Sequence, residues 1–300
     1  MIILISIGRS LMHHKNKNFI EIQQPFDYLV IGHLTADMTE MGIRLGGTAA
    51  FSGLTAHALG LRTGVITSCS VDLAVDLLNP IWVGIKDSEN STTFRNVSDG
   101  VDRQQYLYQT AERLTPDDLP KMSCPPKILH LGPVANEVDP DILNLFPTSM
   151  KCLTAQGWFR KQNKDDRIEL TLWDEWQDYL PNADATVVSI EDLQRDEDLI
   201  SQMAMFTPVF AVTENKLGTR VYWHGDARFF SAPEIKYADD TGAGDIFAAA
   251  FFYRYFTTKD PWEAGRFAVL LASWSVTRSH LMSIPTDEEI SQAKHELIEG

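Results

Sequence analysis

The stretch that most constrains this chain runs from Asp239 to Asp245, D-D-T-G-A-G-D, and passes without a break into Ile-Phe-Ala-Ala-Ala-Phe-Phe. A run that apolar, without strand-like alternation, is long enough to be a buried helix. Gly242 and Gly244 permit a tight turn with exposed backbone N–H groups at the start of that helix. A helix start offers unpaired donors and a partial positive charge, so this turn is suited to an incoming phosphoryl group without a lysine. Asp245 is the odd member, because a carboxylate beside an anion site repels the anion. Its presence makes sense as a base that takes a proton from an attacking hydroxyl. An Asp or Thr ahead of a helix is also an ordinary N-cap. The motif alone leaves both readings open.

The rest of the chain narrows the choice. Tyr28 to Gly32 is a short apolar run, Gly46-Gly47 opens a small-residue helix to about Gly60, and Thr63 to Thr67 returns as a strand. Further apolar runs follow at 128–131, 152–154, 186–188 and 209–213, the texture of strands buried on both faces of a parallel α/β sheet. Residues 91–110 read differently, as two strands around a Ser-Asp-Gly turn. With 38–46 they suit a small lid standing off the main sheet. The C-terminal third reads as helices at 246–256 and 262–277, with Pro261 suited to a first helical turn.

With 300 residues, 44% of them hydrophobic, the chain can bury a sizeable core. A formal net charge of -15 argues against nucleic acid or an anionic membrane as main partner. The basic run from Arg160 to Lys164 is followed by Asp165 and Asp166 and reads as a solvated loop. Three scattered cysteines, Cys69, Cys124 and Cys152, favour a reducing compartment, hence a cytoplasmic location. Residues 1–25 read as an N-terminal extension, flexible or carrying a strand, ahead of one domain at 26–300. His130 in Ile-Leu-His-Leu reads as a satisfied core histidine, and Trp158 and Phe159 as core aromatics.

The chain has neither G-x-x-x-x-G-K-[ST] nor G-x-G-x-x-G. It has an early strand ending at Gly32, Asp37 five residues on, the Gly46-Gly47 helix entry, the hairpin and the late D-D-T-G-A-G-D helix. In these features it resembles the ribokinase-like (PfkB) carbohydrate kinases, from about Phe26 to Pro285. The resemblance implies a three-layer α/β sandwich, a central mostly parallel sheet flanked by helices, plus a small β-lid. It implies Asp245 as catalytic base, and Gly242, Ala243 and Gly244 as anion hole. Asp37, Gly46 and Gly47 would meet the acceptor, with Arg103 of the hairpin as a further candidate. Thr213, Gly218 and Thr241 would lie on the ATP side. Where the family often carries Asn-x-x-Glu near magnesium, this chain has Ser189-Ile190-Glu191-Asp192, so Glu191 or Asp192 would act on Mg2+ through water. Phe51 stands where the family commonly has an Asn that can hydrogen-bond a sugar.

The activity this implies is ATP-dependent phosphorylation of a hydroxyl on a sugar or polyol. Inositol and nucleoside kinases are alternatives, as is a silent ribokinase-like regulatory protein. A homodimer through the lid is left open.

Overall fold

The computed structural model describes residues 2–5, 22–98 and 103–299. Strands are β1 (Ile2–Ile5), β2 (Tyr28–Ile31), β3 (Thr35–Thr39), β4 (Gly42–Gly46), β5 (Thr63–Cys69), β6 (Trp82–Asp87), β7 (Thr92–Ser98) and β8 (Arg103–Gln109). They continue with β9 (Ile128–Leu131), β10 (Met150–Thr154), β11 (Arg160–Gln162), β12 (Ile168–Leu170), β13 (Ala185–Ser189), β14 (Val209–Thr213), β15 (Gly218–Trp223) and β16 (Asp226–Ser231). Helices are α1 (Thr48–Ala58), α2 (Trp176–Tyr179), α3 (Glu197–Phe206), α4 (Ala243–Thr258), α5 (Pro261–Ser275) and α6 (Asp287–Glu299).

One sheet, in the order β1-β6-β5-β2-β9-β10-β13-β14-β15-β16, runs through the body. Pairing is parallel from β6 to β14 and antiparallel at both margins, where β1 joins β6 and β15 and β16 follow β14. The apolar runs of the sequence are buried on both faces because successive side chains point to opposite sides. Tyr28 and Val30 pack with residues of α1, α4, α5 and α6, whereas Leu29 and Ile31 pack against α2, α3 and the 3-10 turns of the other face. This is the α/β sandwich expected from the sequence.

A second sheet, β4-β3-β7-β8, forms the lid. Its strands lie where 38–46 and 91–110 were expected; the turn at 99–102 lies outside the described residues. Residues opposite one another share a face, so Asp37, Arg44 and Phe94 are on one side and Met38 and Ile43 on the other. Phe94 and Leu107 are buried with Val134 of the body, so the side bearing Asp37 is turned inward.

Three polar side chains cross the middle of the main sheet. Tyr28 Oη lies 2.8 Å from His130 Nδ1, and His130 Nε2 lies 2.9 Å from Thr154 Oγ1. Phe252 of α4 meets the His130 ring edge-on at 5.1 Å. Burial lowers the His130 pKa to about 3, so the ring is neutral and both its nitrogens are used. His130 is the satisfied core histidine that its apolar neighbours predict.

Candidate active site

Two helices point their N-termini at the same place, and both are started by glycine. α1 follows Gly47 (φ 89°) and α4 follows Gly242 (φ 82°), and neither has a side-chain cap. By contrast α3 and α5 are capped by Asp196 and Asp260, each accepting two first-turn N–H groups. In α4 the first bond of the helical ladder runs from Ile246 N–H to Gly242 O at 2.9 Å. The N–H groups of Gly244 and Asp245 therefore have no acceptor within the helix. A Cβ at Gly244 would meet nothing within 4 Å, and Gly244 is exposed, so the helix start is open on this side. Of the turn at Gly242, Ala243 and Gly244, the Ala243 N–H is already bonded to Asp240 O at 3.0 Å, which leaves Gly244 and Asp245 as the donors without a helical acceptor.

The turn before the helix is tied down on its other side. The Asp239 carboxylate accepts the N–H of Thr241 (3.0 Å) and of His280 (3.2 Å). The Thr241 hydroxyl also bonds Asp239, so this candidate for the ATP side is engaged in holding the turn.

Asp245 sits in the first turn of α4, partly open to solvent. Desolvation is the main influence on its carboxyl and raises its pKa from 3.8 to about 6. A hydrogen bond from Thr48 and the charge of Arg160 oppose the rise, while the charges of Asp37 and Asp192 add to it. A carboxyl that ionises near neutrality is both available and basic enough to take a proton.

α1 supports this group from below with one face. Thr48 bonds the Asp245 carboxylate, and Ser52 Oγ donates to Asp245 O at 3.1 Å. Between them lies Phe51. A Cβ at Gly242 would fall 2.2 Å from its ring, and the ring meets His280 edge-on at 5.7 Å. Phe51 is 1% exposed. It is thus a buried prop beneath the turn at Gly242.

Asp37 enters from the lid, where the Thr35 hydroxyl donates to its Oδ1 at 2.8 Å. Gly46 is opposite Thr35, and a Cβ there would fall 2.2 Å from Asp37 Oδ2. The two glycines therefore have different tasks: Gly46 leaves room for the Asp37 carboxylate, and Gly47 supplies the left-handed turn into α1. Arg103 lies on β8, and its side chain is outside the described residues. Thr213 Oγ1 bonds Val188 O (3.3 Å), and Gly218 (φ 129°) would place a Cβ 2.0 Å from Phe230 O, so both are tied into their strands.

The two acidic residues after Ser189 separate. Glu191 is exposed and pairs with Asn215 (2.7 Å) and Arg195 (3.7 Å). Asp192 is buried, accepts the Ser189 N–H at 3.3 Å and a hydrogen bond from Gln156, and has its pKa raised by desolvation. Of the pair, it is Asp192 whose charge reaches Asp245. Among the described residues no three His, Cys, Asp or Glu side chains converge as a metal cage. A divalent ion held chiefly by phosphate oxygens and water fits this donor set, with Asp192 as the nearby buried carboxylate.

Arg160 corrects the reading of 160–164 as a solvated loop. Residues 160–162 form β11, paired with β12, and Arg160 is half-buried with Nη1 3.4 Å from Val134 O. Its charge acts on both Asp245 and Asp192. Trp158 and Phe159 are buried, as their aromatic character predicts.

Comparison with known proteins bears on the family pattern and the fold. Residues 144–288 match the profile described as pfkB family carbohydrate kinase. A fructokinase of Klebsiella pneumoniae is 29% identical over 151 residues, which span 45% of this chain and 48% of the fructokinase. The match thus spans about half the length of that curated relative. A sulfate complex of a pyrophosphate-dependent kinase in the ribokinase family has a TM-score of 0.74 at 21% identity, covering 89% of this chain and 99% of that one. Arabidopsis thaliana ribokinase complexed with ribose and ATP gives 0.67 at 16% identity, covering 90% and 99%. These structural likenesses are likenesses of fold. No helix among the described residues is long and apolar enough to cross a membrane.

Proposed function

We propose that this chain, a ribokinase-fold protein whose residues 144–288 carry the pfkB carbohydrate-kinase pattern, transfers the terminal phosphoryl group of ATP to a hydroxyl of a sugar or polyol. The observation that carries this reading is Asp245, a carboxylate with a pKa of about 6 placed in the same helical turn as the open N–H donors.

The acceptor hydroxyl lies between Asp37 on the lid and Asp245 on α4. Asp245 takes the proton as the oxygen attacks, and the N–H groups of Gly244 and Asp245 receive the charge on the transferring group. Phosphoryl transfer has a loose, highly charged transition state, so positioning and fixed dipoles do most of the work. Magnesium, when bound, neutralises charge on the donor phosphates. Asp192 is the residue of this chain suited to orient its water shell, with Glu191 turned away.

A second donor is favoured by one observation: three solved structures with TM-scores of 0.73 to 0.75 are pyrophosphate-dependent kinases, two of them named with myo-inositol. The test is product formation from ATP or pyrophosphate with magnesium across sugars, polyols, inositols and nucleosides, beside Asp245→Asn. Loss of the general base should lower turnover by roughly 100-fold or more. Equal turnover in the variant removes Asp245 from the chemistry. Donor binding without transfer to any acceptor would favour a regulatory protein. Lid pairing into a homodimer belongs to the same reading, supported by exposed Met38, Ile43 and Tyr108; a monomer in sedimentation at micromolar concentration removes it.

A further inference from the structure

Four passages of backbone carry the chain between body and lid: 33–34 into β3, 46–47 out of β4, 91–92 into β7 and 111–112 beyond β8. All four meet at His33, which is 0% exposed. Its Nε2 lies 3.0 Å from Glu112 O, and a carbonyl only accepts, so Nε2 carries the proton. Burial lowers the pKa of the ring and keeps it neutral. Nδ1 is then an acceptor, and the Thr92 hydroxyl 2.6 Å away donates to it. Thr92 Oγ1 in turn accepts the N–H of Ala111 at 3.0 Å. One histidine and one threonine thereby fix both ends of the β7–β8 hairpin.

The main chain of His33 fixes the other two passages. Its N–H donates to Glu137 Oε1 at 3.1 Å. Glu137 is buried and also accepts from Val134 and Ala135, and Val134 is the residue packed beneath Phe94 and Leu107 of the lid. A Cβ at Gly47 would fall 2.4 Å from His33 O, so the exit from β4 lies directly against this carbonyl.

We propose that His33 is a positioning residue: with Thr92 it sets the angle at which the lid stands over the body, and so where Asp37 stands relative to Asp245. Asp37 is four residues along the chain from this pin, on β3, and has no route to the body that bypasses it on the β3 side. The consequence for the acceptor KM rests on the kinase reading given above, whereas the mechanical claim does not.

The experiment uses Thr92→Val, which keeps the shape but removes the hydroxyl, with Thr92→Ser as the conservative rescue. Hydrogen–deuterium exchange should quicken about tenfold or more in β3, β4, β7 and β8, with β2, β9 and β14 unchanged. In the transfer assay the acceptor KM should rise roughly tenfold while kcat and the donor KM stay within about twofold. Thr92→Ser should restore both. Unaltered lid exchange overturns the proposal, as does faster exchange spread equally through the body strands. Faster lid exchange with an unchanged acceptor KM also overturns it. Should no acceptor be phosphorylated by the wild-type chain, the kinase reading fails and the exchange result alone decides the role of His33.

Discussion

Thr48→Val should shift the acid limb of the reaction upward, and the size of the shift follows from the site. Thr48 is 2% exposed and gives its hydroxyl hydrogen bond to the Asp245 carboxylate, which favours the ionised form. Valine keeps the shape and leaves no stranded donor. A hydrogen bond to a charged group contributes about 1.5 to 3 kcal/mol, and the lower end suits a carboxylate partly open to water. At about 1.36 kcal/mol per unit, the apparent pKa of the base should move up by about one unit from its value near 6. The ionised fraction would then fall about fivefold near pH 6, about twofold near pH 7, and hardly at all near pH 9. The assay is kcat/KM against pH, which reports the free enzyme. A rate that falls by the same factor at every pH would refute the reasoning, because it would mean that Thr48 shapes the site without holding the charge. An unmoved acid limb with unchanged rates would refute it too.

Asp245→Asn should lose turnover yet melt at a higher temperature at neutral pH. The folded pKa of about 6 lies above the ordinary 3.8, so the folded state binds this proton more tightly and is destabilised as pH rises between those values. The melting difference from wild type should be full above about pH 6 and close by about pH 4; a variant less stable at pH 7 would contradict this. Gly242→Ala should be destabilised by about 2 kcal/mol or more in a denaturant titration, since it meets both a left-handed φ and the Phe51 ring, whereas Gly244→Ala should match wild type in stability. Equal effects would deny the prop role of Phe51. Asp192→Asn should raise the magnesium concentration for half-maximal rate several-fold while Glu191→Gln leaves it unchanged. The reverse order would reassign the pair.

The fold was legible where sequence pattern and local physics agree. Glycines followed by an apolar run can begin a buried helix, and four-residue apolar runs between turns suit a parallel sheet, so α4 and the central strands were readable. The pairing of Asp37 with Asp245 came from the resemblance, not from spacing. Arg160 was hidden because charge runs usually face solvent. Here the chain passes against the Pro133–Val134 backbone at Gly157, where a Cβ would fall 2.4 Å from Pro133 C, and the Arg160 that follows has its charge acting on Asp245 and Asp192. Thr48 and His33 carried no local signal either. A threonine next to a glycine-started helix and a histidine after a strand acquire roles only when β3, β9 and α4 are assembled around them. Glu191 and Asp192 show the same limit, since adjacent residues in a turn point to different surroundings.

The line Tyr28–His130–Thr154 bears on how the chain reaches this state at all. Parallel strands are brought together across long loops, and apolar runs as similar as those of β2, β9 and β10 are nearly interchangeable to a hydrophobic contact. Polar side chains are less forgiving. A slip of β9 by one residue would turn the imidazole to the opposite face, among Leu29, Leu131 and Leu153, with neither nitrogen matched. A misregistered sheet is penalised by a buried, unpaired ring, so the line acts as a key that only the correct alignment of three strands can turn.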